Sequence, residues 1–404
     1  MDDLLVFALL FSAVGCGWWL GRRSGKSVAV AAPTLPSQYY RGLNYLLDGR
    51  PDGAVDHFIS ALEVNSETLE THIALGNVLR RRGEVDRAIR IHQNLLARPN
   101  LSAPQMHIAH LELARDYISA GLLDRAEKLF LELLEESEEQ RDISRQHLIE
   151  LYRSQRDWRR AIEQARASLP RRGLLGTPSG EPTLVSGQAV TVQLAHFYCE
   201  LAAEAQADGD LKGAGELLGN ALDSDPSCAR ASLQLGRLKA DAGLHREAIT
   251  VLARIEAQDA DFLPEAIPVL RDCYGALGRD EELSRYLRES LAKHPSTPLM
   301  LAVAEDLQRD AGDEAAQGFL SAQLATSPSL RGLLKLIRLQ LPASPGEATG
   351  ESLDMLSLLL DRLIAERPVF RCNHCGFSAK HRLWFCPGCK YWGTFRTIRT
   401  APTE

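Results

Sequence analysis

The sequence lacks an excess of basic residues. Its 404 residues carry 46 Lys and Arg against 53 Asp and Glu, which gives a formal net charge of -7 at pH 7. Neutralising a phosphate backbone requires a surplus of Lys and Arg, and this balance excludes a protein that binds nucleic acid along its whole length. Any basic partner surface is therefore local, and nucleic acid is not an expected partner.

Closely spaced cysteines are also scarce outside the C-terminus. Four cysteines stand singly along the chain: Cys16, Cys199, Cys228 and Cys273. A small secreted domain stapled by disulfides has a dense set of cysteines, whereas this scatter is typical of a reducing compartment. We expect these four thiols to be reduced and structural.

A catalytic constellation is missing between residues 37 and 340. Five histidines of this region are scattered over predicted helix faces: His57, His92, His107, His110 and His147. They lack the H-E-x-x-H spacing that places two metal ligands on one side of a helix. Isolated histidines of this kind are usually structural, and the chain is not expected to be an enzyme.

Long apolar runs are absent except at the N-terminus. Residues 4–20, LLVFALLFSAVGCGWWL, are uncharged and mostly apolar, and they span about 25 Å as a helix at roughly 1.5 Å per residue. A cleaved signal peptide is the alternative, supported by AVAA at residues 29–32. The N-terminal part of a signal peptide is basic, however, whereas this sequence has the acidic residues Asp2 and Asp3 there. We therefore predict an uncleaved transmembrane anchor with a cytoplasmic basic flank over residues 1–23.

Residues around this run set its expected orientation and contacts. Three basic residues follow within residues 22–26, and such residues stay on the cytoplasmic side, so the body is predicted to face the cytoplasm. Small residues recur every fourth position at Ala13, Gly17 and Gly21, a pattern on which membrane helices pack closely. A partner helix in the membrane is therefore a hypothesis. A flexible linker is predicted over residues 24–36.

Beyond the linker the sequence repeats itself. One position, alanine in all but one repeat, recurs in steps of 33 to 38 residues apart from one step of 53: Ala54, Ala88, Ala126, Ala161, Ala214, Ala248, Leu283 and Ala316. The longer step contains residues 170–188, PRRGLLGTPSGEPTLVSGQ. Its glycines and prolines predict a loop inserted between two repeats.

This pattern resembles the tetratricopeptide repeat, a pair of helices of about 34 residues. Small residues stand where the family requires them in the first helix, at Gly42, Gly76, Ala114 and Gly236. The resemblance predicts an all-α protein with about eight repeats over residues 37–340. Such repeats stack into a right-handed solenoid whose first helices line a groove.

A solenoid of this kind holds segments of other proteins. The repeat register places six polar side chains on the groove: Asn77, Arg80, Arg81, Arg115, Arg153 and Arg237. A merely solvated helix face is the alternative interpretation of these residues. If they bind a partner, we expect that partner to be rich in carboxylates, because guanidinium groups match carboxylate geometry.

Four cysteines crowd near the C-terminus. Cys372-x2-Cys375 and Cys386-x2-Cys389 are separated by ten residues, a spacing that converges four thiolates on one tetrahedral metal ion. Two disulfides do not suit a reducing compartment, and a CxxC redox centre needs only two cysteines. We predict one structural metal ion in a rubredoxin-like zinc ribbon over residues 368–404, hereafter the tail. Zinc is favoured, although a four-thiolate site fits iron as well.

A linker and a final helix are predicted over residues 341–367, before the tail. The charged residues of the tail are basic up to residue 403. No Asp or Glu occurs between residues 368 and 403, against Arg371, Lys380, Arg382, Lys390, Arg396 and Arg399. Four thiolates around Zn²⁺ contribute a net charge of about -2, so a charge of about +4 remains. Such a surface suits RNA, anionic membrane lipid or an acidic protein surface, and a membrane anchor favours the last two.

Three stretches together resemble one family. They are GWWLGRRS, YYRGLNYLLDGRPDGAVDHF and FRCNHCGFSAKHRLWFCPGCKYWGTFRTIR, and in this order they resemble the lipopolysaccharide assembly protein B family of Gram-negative bacteria. The resemblance implies an inner-membrane adaptor that promotes proteolysis of the lipid A pathway deacetylase (LpxC) by the membrane AAA+ protease FtsH. It also implies contact with an inner-membrane regulator that senses lipopolysaccharide. The insertion at residues 170–188 departs from the family, which puts the groove near the middle repeats in doubt.

Two other functions stay open at this point. As an electron carrier, the tail would hold iron and show a visible absorption band. As an RNA-linked factor, it would bind nucleic acid with a steep dependence on salt. Metal analysis of the purified protein separates the first of these from an adaptor.

Overall fold

The computed structural model of the chain describes residues 12–19, 44–45, 69–99, 101–169, 187–341 and 348–398. The chain divides into two compact units, residues 1–120 and residues 121–404. The linker, most of the first repeat with Ala54 and Gly42, and residues 170–186 of the predicted insertion lie outside the described residues.

Only part of the predicted anchor is described. Residues 12–19 are helical, and their side chains, including those of Ala13, Trp18 and Trp19, are exposed. The remaining anchor residues, Gly21 among them, lie outside the described residues. In the part of the chain that the structure describes, no helix combines the length and the apolar character that a membrane crossing requires.

Beyond the helical residues near the N-terminus, the first unit has three helices with described bounds. They are α1 (Leu69–Arg81), α2 (Val85–Leu96) and α3 (Ala103–Ser119). Each packs on the next, and α1 also contacts α3 directly. Leu69, Leu95 and Ala109, one from each helix, are buried together. First helices of neighbouring repeats therefore lie side by side in this unit.

The second unit continues the helix pairs. Its helices are α4 (Leu123–Glu136), α5 (Glu138–Gln155), α6 (Trp158–Ser168), α7 (Val190–Ala207), α8 (Leu211–Ser224), α9 (Ala229–Asp241), α10 (His245–Asp259), α11 (Leu263–Ala276), α12 (Asp280–Lys293), α13 (Thr297–Ala311), α14 (Asp313–Thr326), α15 (Leu330–Gln340) and α16 (Ala348–Glu366). Each helix packs on the next in the chain, and the first helices α7, α9, α11, α13 and α15 also contact one another in series. This forms a continuous layer of first helices, the arrangement of a tetratricopeptide-repeat solenoid.

The recurring alanine position lies inside the helix pairs. Its side chain is at most 1 % exposed in every described repeat, at Ala88, Ala126, Ala161, Ala214, Ala248, Leu283 and Ala316. Interiors are packed to crystal-like density, so a larger side chain at such a crossing displaces its neighbours. The sequence period is therefore a packing requirement.

Glycines turn the chain after several first helices. Gly209 follows α7 with φ +84° and Gly243 follows α9 with φ +75°, a left-handed conformation that glycine adopts without steric cost. After α5 the same conformation, with φ +59°, falls on Arg156. A side chain in this conformation costs roughly 1–2 kcal/mol. Where the sequence lacks a glycine, this turn still forms the backbone hydrogen bond from the N–H of Asp157 to the carbonyl of Tyr152, over 2.9 Å.

The tail forms a small antiparallel sheet. Its strands are β1 (Phe370–Cys372), β2 (Ser378–Ala379) and β3 (Phe395–Thr397), in the order β2, β1, β3. Cys372 lies opposite Phe395 in this sheet. Both side chains are buried with that of Cys386, and they form a core of few residues.

We expect Gly236→Val to lower the free energy of unfolding by about 1–3 kcal/mol, because overpacking forces neighbours out of place. A Cβ added at Gly236 in α9 would overlap the side chain of Leu252 in α10. The control is Gly219→Ala in α8, where an added Cβ has no atom within 4 Å. It should raise stability by up to about 1 kcal/mol through helix propensity. Urea denaturation followed by far-UV circular dichroism measures both, and equal stability of Gly236→Val and wild type would contradict the packing argument.

Candidate metal centre and its docking surface

Two turns of the tail bring the clustered cysteines together. The ligand atoms of Cys372, Cys375, Cys386 and Cys389 lie within 4.8 Å of one another. The sulfur atoms of Cys372 and Cys389 are 3.7 Å apart, and those of Cys375 and Cys386 are 3.6 Å apart. Four sulfurs bound at about 2.3 Å to one tetrahedral ion are separated by roughly 3.8 Å, so these distances fit one metal ion.

Both turns follow the same backbone course. The N–H of Gly376 donates to the carbonyl of Cys372 over 2.9 Å, and the N–H of Lys390 donates to that of Cys386 over 2.8 Å. Gly376 and Lys390 both have positive φ, +79° and +63°. In each turn, backbone N–H groups donate to the sulfur of the first cysteine. Position 390 was not identified from the sequence, because a lysine stands where the first turn has a glycine.

The four thiols need a cation in order to ionise together. Burial opposes ionisation of Cys372, but the Thr394 hydroxyl and backbone N–H donors lower its pKa to about 6. Burial and the neighbouring thiols raise the pKa of Cys389 to about 12. A bound divalent ion lets four thiolates coexist at this spacing. The donor set therefore fits one structural metal ion, zinc or iron, and leaves no ligand position for a reacting water molecule.

Two tryptophans attach the tail to the layer of first helices. Trp392 is only 4 % exposed and stacks on His196 of α7, with 4.9 Å between ring centroids. It also meets Phe197 edge-on at 6.2 Å. Trp384 stacks on Phe262, in the turn before α11, at 5.0 Å. These rings bury apolar surface between the tail and the repeats.

Two arginines of the tail pair with acidic residues near the start of α11. Arg382 donates to the carboxylate of Glu265 and, over 2.9 Å, to the backbone carbonyl of Asp261. Arg396 lies 2.5 Å from the carboxylate of Asp259 and 3.5 Å from that of Asp261. Both arginines belong to the basic surface that the sequence predicts for RNA, anionic lipid or an acidic protein surface. The structure corrects this for Arg382 and Arg396, because their acidic partners lie on the same chain.

Polar contacts complete the docking surface. The side-chain amide of Gln188, the last residue of the predicted insertion, donates to the backbone carbonyl of Trp392 over 2.9 Å and accepts from the backbone N–H of Trp392 over 3.0 Å. Arg153 of α5 donates to the carbonyl of Lys390 over 3.2 Å, and its guanidinium lies 4.9 Å from the ring centre of Phe385. The tail thus spans first helices from α5 to α11.

The predicted groove residues all lie on first helices, but several already have partners within the chain. In the first unit, Arg80 pairs with Asp116 at 2.7 Å and with Glu112 at 2.8 Å. Arg115 pairs with Glu112 at 2.6 Å. Glu112 and Asp116 both belong to α3. Arg80 of α1 reaches them because α1 and α3 lie side by side.

The other predicted groove residues differ in accessibility. Arg81 and Arg237 are exposed, and Asn77 is half-buried. Arg153 is buried beneath the tail and is not open to an external segment while the tail is docked. A partner-binding role stays a prediction for the exposed members of the set.

The docking surface itself was not predicted from the sequence. Its acidic part, Asp259, Asp261 and Glu265, falls in one short stretch from the last residue of α10 to the first turn of α11. The absence of acidic residues from 368 to 403 was the available signal that an acidic surface covers the tail. The sequence offered no way to choose between a surface on this chain and one on a partner.

We expect Cys386→Ser to remove most of the bound metal and to release the tail, because three thiolates cannot close a structural site and binding free energy is also folding free energy. Elemental analysis should fall from about one ion per chain toward zero. Trypsin should then cleave residues 368–404 faster. The control is Cys273→Ala, which removes a buried thiol outside the cluster. Full metal content and unchanged cleavage in the serine variant would rule out a metal-folded tail.

A second prediction concerns pH. Burial, and then the nearby Arg230, hold the pKa of His196 well below its usual range. The unfolded state therefore takes up a proton below about pH 6.5 that the folded state excludes, and stability is lost as pH falls. We expect this loss to approach about 1.4 kcal/mol per pH unit below pH 6.5 and to vanish in His196→Gln.

Urea denaturation between pH 7.5 and 5.5, followed by tryptophan fluorescence with metal content checked at each pH, measures this loss. An equal pH slope in wild type and variant would show that His196 does not cause it.

Family models match both parts of the chain. Residues 370–397 match the model described as the rubredoxin metal binding domain. Residues 39–104, 73–141 and 205–273 match models described as the tetratricopeptide repeat. Among solved structures, a tetratricopeptide repeat protein from Parabacteroides merdae is 14 % identical, with a TM-score of 0.32 over 68 % of this chain and 100 % of that chain.

Two relatives match along almost the whole chain. Lipopolysaccharide assembly protein B of Escherichia coli strain K12 is 35 % identical over 396 residues, which cover 98 % of each chain. The protein of the same name from Haemophilus influenzae is 30 % identical over 403 residues, again 98 % of each chain. Each of these matches includes both the repeats and the four-cysteine tail. This chain therefore belongs to the lipopolysaccharide assembly protein B family.

Proposed function

We propose that the chain acts in lipopolysaccharide assembly as an adaptor that promotes proteolysis of the lipid A pathway deacetylase by the membrane protease FtsH. The observation that carries this proposal is the similarity to lipopolysaccharide assembly protein B over 98 % of both chains. In this proposal the repeats hold the deacetylase, and the anchor keeps it near the protease. Tethering both partners in one plane raises their effective concentration without any new contact.

Two features of the described residues support binding rather than catalysis. The layer of first helices offers an extended surface for a protein segment, which is the usual use of stacked repeats. The four-cysteine cluster closes on its ion, which we take to be zinc, and leaves no position for a reacting water. Among the described residues, no other group of three or more potential metal ligands converges.

The same proposal places the chain in the bacterial inner membrane, with a single span and the body facing the cytoplasm. The apolar run at residues 4–20 and the basic residues within 22–26 support this orientation. The described part of the run, residues 12–19, is helical.

Contacts within and at the membrane follow from this placement. The small-residue face at Ala13, Gly17 and Gly21 receives the lipopolysaccharide-sensing regulator of the inner membrane. Arg371 and Lys380 are exposed on the tail, and they contact anionic lipid headgroups. These contacts use tail residues that the docking on the repeats leaves accessible.

A rubredoxin-like electron carrier is the second candidate. The observation that favours it is the exposure of Cys375, which makes one edge of the cluster reachable from solvent. An iron-loaded tail would exchange electrons through that edge and show a visible absorption band. Purified protein that contains zinc and lacks such a band would exclude this function.

We expect deletion of residues 1–23 to leave a folded, client-binding protein that no longer speeds degradation of the deacetylase. Arg382→Glu should also slow degradation, because it sets two acidic groups against each other at the docking surface and releases the tail. Lys212→Glu makes the same charge change on an exposed residue of α8, to which no contact with a partner is assigned, and serves as the control.

The measurement is the half-life of the deacetylase after translation is stopped, in cells that carry each variant at matched abundance. We expect a several-fold longer half-life for the first two variants and a wild-type half-life for the control. Rapid turnover restored in full by the anchorless protein would contradict the proposed mechanism.

A further inference from the structure

A cleft of the second unit lies between the first helices α13 and α15. Its volume is about 260 Å³. The two helices contact each other directly, so the cleft belongs to the layer on which stacked repeats hold protein segments. Seven residues line it: Leu301, Glu305, Arg331, Leu334, Lys335, Arg338 and Ile364.

The basic lining residues share one face of α15. Arg331, Lys335 and Arg338 follow one another at intervals of four and three residues, which places them on successive turns of one face. Arg338 pairs with Asp361 of α16 at 2.5 Å. Lys335 donates to the neutral side chain of Gln308 over 2.9 Å. Neither Arg331 nor Lys335 forms an ion pair with any residue that the structure describes, so two positive charges of the cleft are unmatched.

The acidic lining residue does not neutralise these charges. Glu305 of α13 lies 3.4 Å from Arg271 of α11, a residue outside the cleft, and pairs with it. Helix α15 has no acidic residue of its own. The cleft is therefore locally basic in a chain whose formal net charge is -7. Protein walls on its sides strengthen the field of such charges relative to a flat surface.

Apolar side chains lie beside the unmatched charges. Leu334 is 8 % exposed and packs in the core with Ile337 and Leu360, which fixes its position. Leu301 and Ile364 are half-buried. A ligand that enters the cleft thus meets apolar surface and positive charge together.

We infer that this cleft binds a short acidic segment of a partner protein. Carboxylates of the segment pair with Arg331 and Lys335, because a guanidinium fork matches a carboxylate and an ammonium group attracts one as a point charge. A neighbouring apolar side chain of the segment packs on Leu334. The inference rests on the proposed function, in which the repeats hold a client, and it adds the place and the chemistry of one such contact.

Charge around the cleft favours a short acidic segment over a nucleic acid or a membrane. Helix α16, which lines the cleft through Ile364, has four acidic residues and one basic residue. A nucleic acid carries its negative charge beyond the cleft, and an anionic leaflet presents a whole negative surface, so α16 repels both. A segment with a few carboxylates ends before it meets this repulsion.

The first experiment measures peptide binding to the full chain in detergent by fluorescence anisotropy. The probe is the rhodamine-labelled peptide Asp-Glu-Leu-Glu-Asp, and the matched peptide Asn-Gln-Leu-Gln-Asn has a similar shape without charge. The acidic peptide should bind with a dissociation constant below about 1 mM, and the neutral one at least about tenfold more weakly. Added salt should weaken binding of the acidic peptide, because ions screen its charge.

The second experiment reverses the charge of the cleft. Arg331→Glu combined with Lys335→Glu should weaken the acidic peptide at least about tenfold and should instead bind the basic peptide Lys-Lys-Leu-Lys-Lys. The control combines Arg285→Glu with Arg288→Glu, which makes the same change on two exposed residues of the second helix α12. It should bind both peptides as wild type does. Circular dichroism and metal content verify that both variants fold.

The half-life of the deacetylase in cells separates this inference from the proposed function. The reversed cleft should lengthen it several-fold, whereas the α12 control should leave it unchanged. A reversed cleft that loses the peptide and still gives rapid turnover would overturn the inference and leave the proposed function standing. Wild type that binds the peptide without speeding turnover would contradict the proposed function alone.

Two results of the binding experiments would also overturn the inference. One is equal affinity of wild type for the acidic and the neutral peptide, or an affinity that the charge reversal does not change. The other is a labelled single-stranded oligonucleotide, or a phosphatidylglycerol micelle, that binds wild type more tightly than the peptide and is lost with the same reversal. Nucleic acid or lipid would then be the occupant of the cleft.

Discussion

The contact between the cysteine-rich tail and the layer of first helices holds the second unit together as one body. The tail has a core of few residues, in which Phe395 packs with Cys372 and Cys386. A core of this size does not fold alone, so the tail relies on its metal ion and on the repeats. The repeats rely on the tail in turn, because Trp392 covers the buried ring of His196 in the middle of α7.

Ion pairs determine where the tail docks. The side chain of Arg382 is 7 % exposed, and burial raises the pKa of its partner Glu265 although Arg382 itself lowers it. Both charges are therefore largely removed from water. Removing one member of such a pair costs about 3–5 kcal/mol because the other charge stays buried alone, whereas the intact pair adds little net stability. We expect these pairs to define the position of the tail more than to stabilise the fold.

Docking also decides which surface of the second unit is open to a partner. In the second unit the tail covers first helices from α5 to α11, and Arg153 lies beneath it. In the proposed function, a client segment would therefore meet the outer face of the tail over this stretch rather than bare helices. Arg237 of α9 remains exposed beside the tail. Release of the tail would expose Trp384, Trp392 and the acidic stretch at the start of α11 together.

The sequence by itself determined the repeats and the metal ligands, because both follow from local spacing. Small residues such as Ala88 and Ala126 recur where helices cross, and the two cysteine pairs are spaced by the geometry of a tetrahedral ion. The tertiary structure alone decided where Arg382, Arg396 and the tryptophans of the tail go. Arg382 and Glu265 are 117 residues apart, and a contact at such a distance leaves no period in the sequence. Chain folding thus turned part of a predicted open basic surface into ion pairs within the molecule.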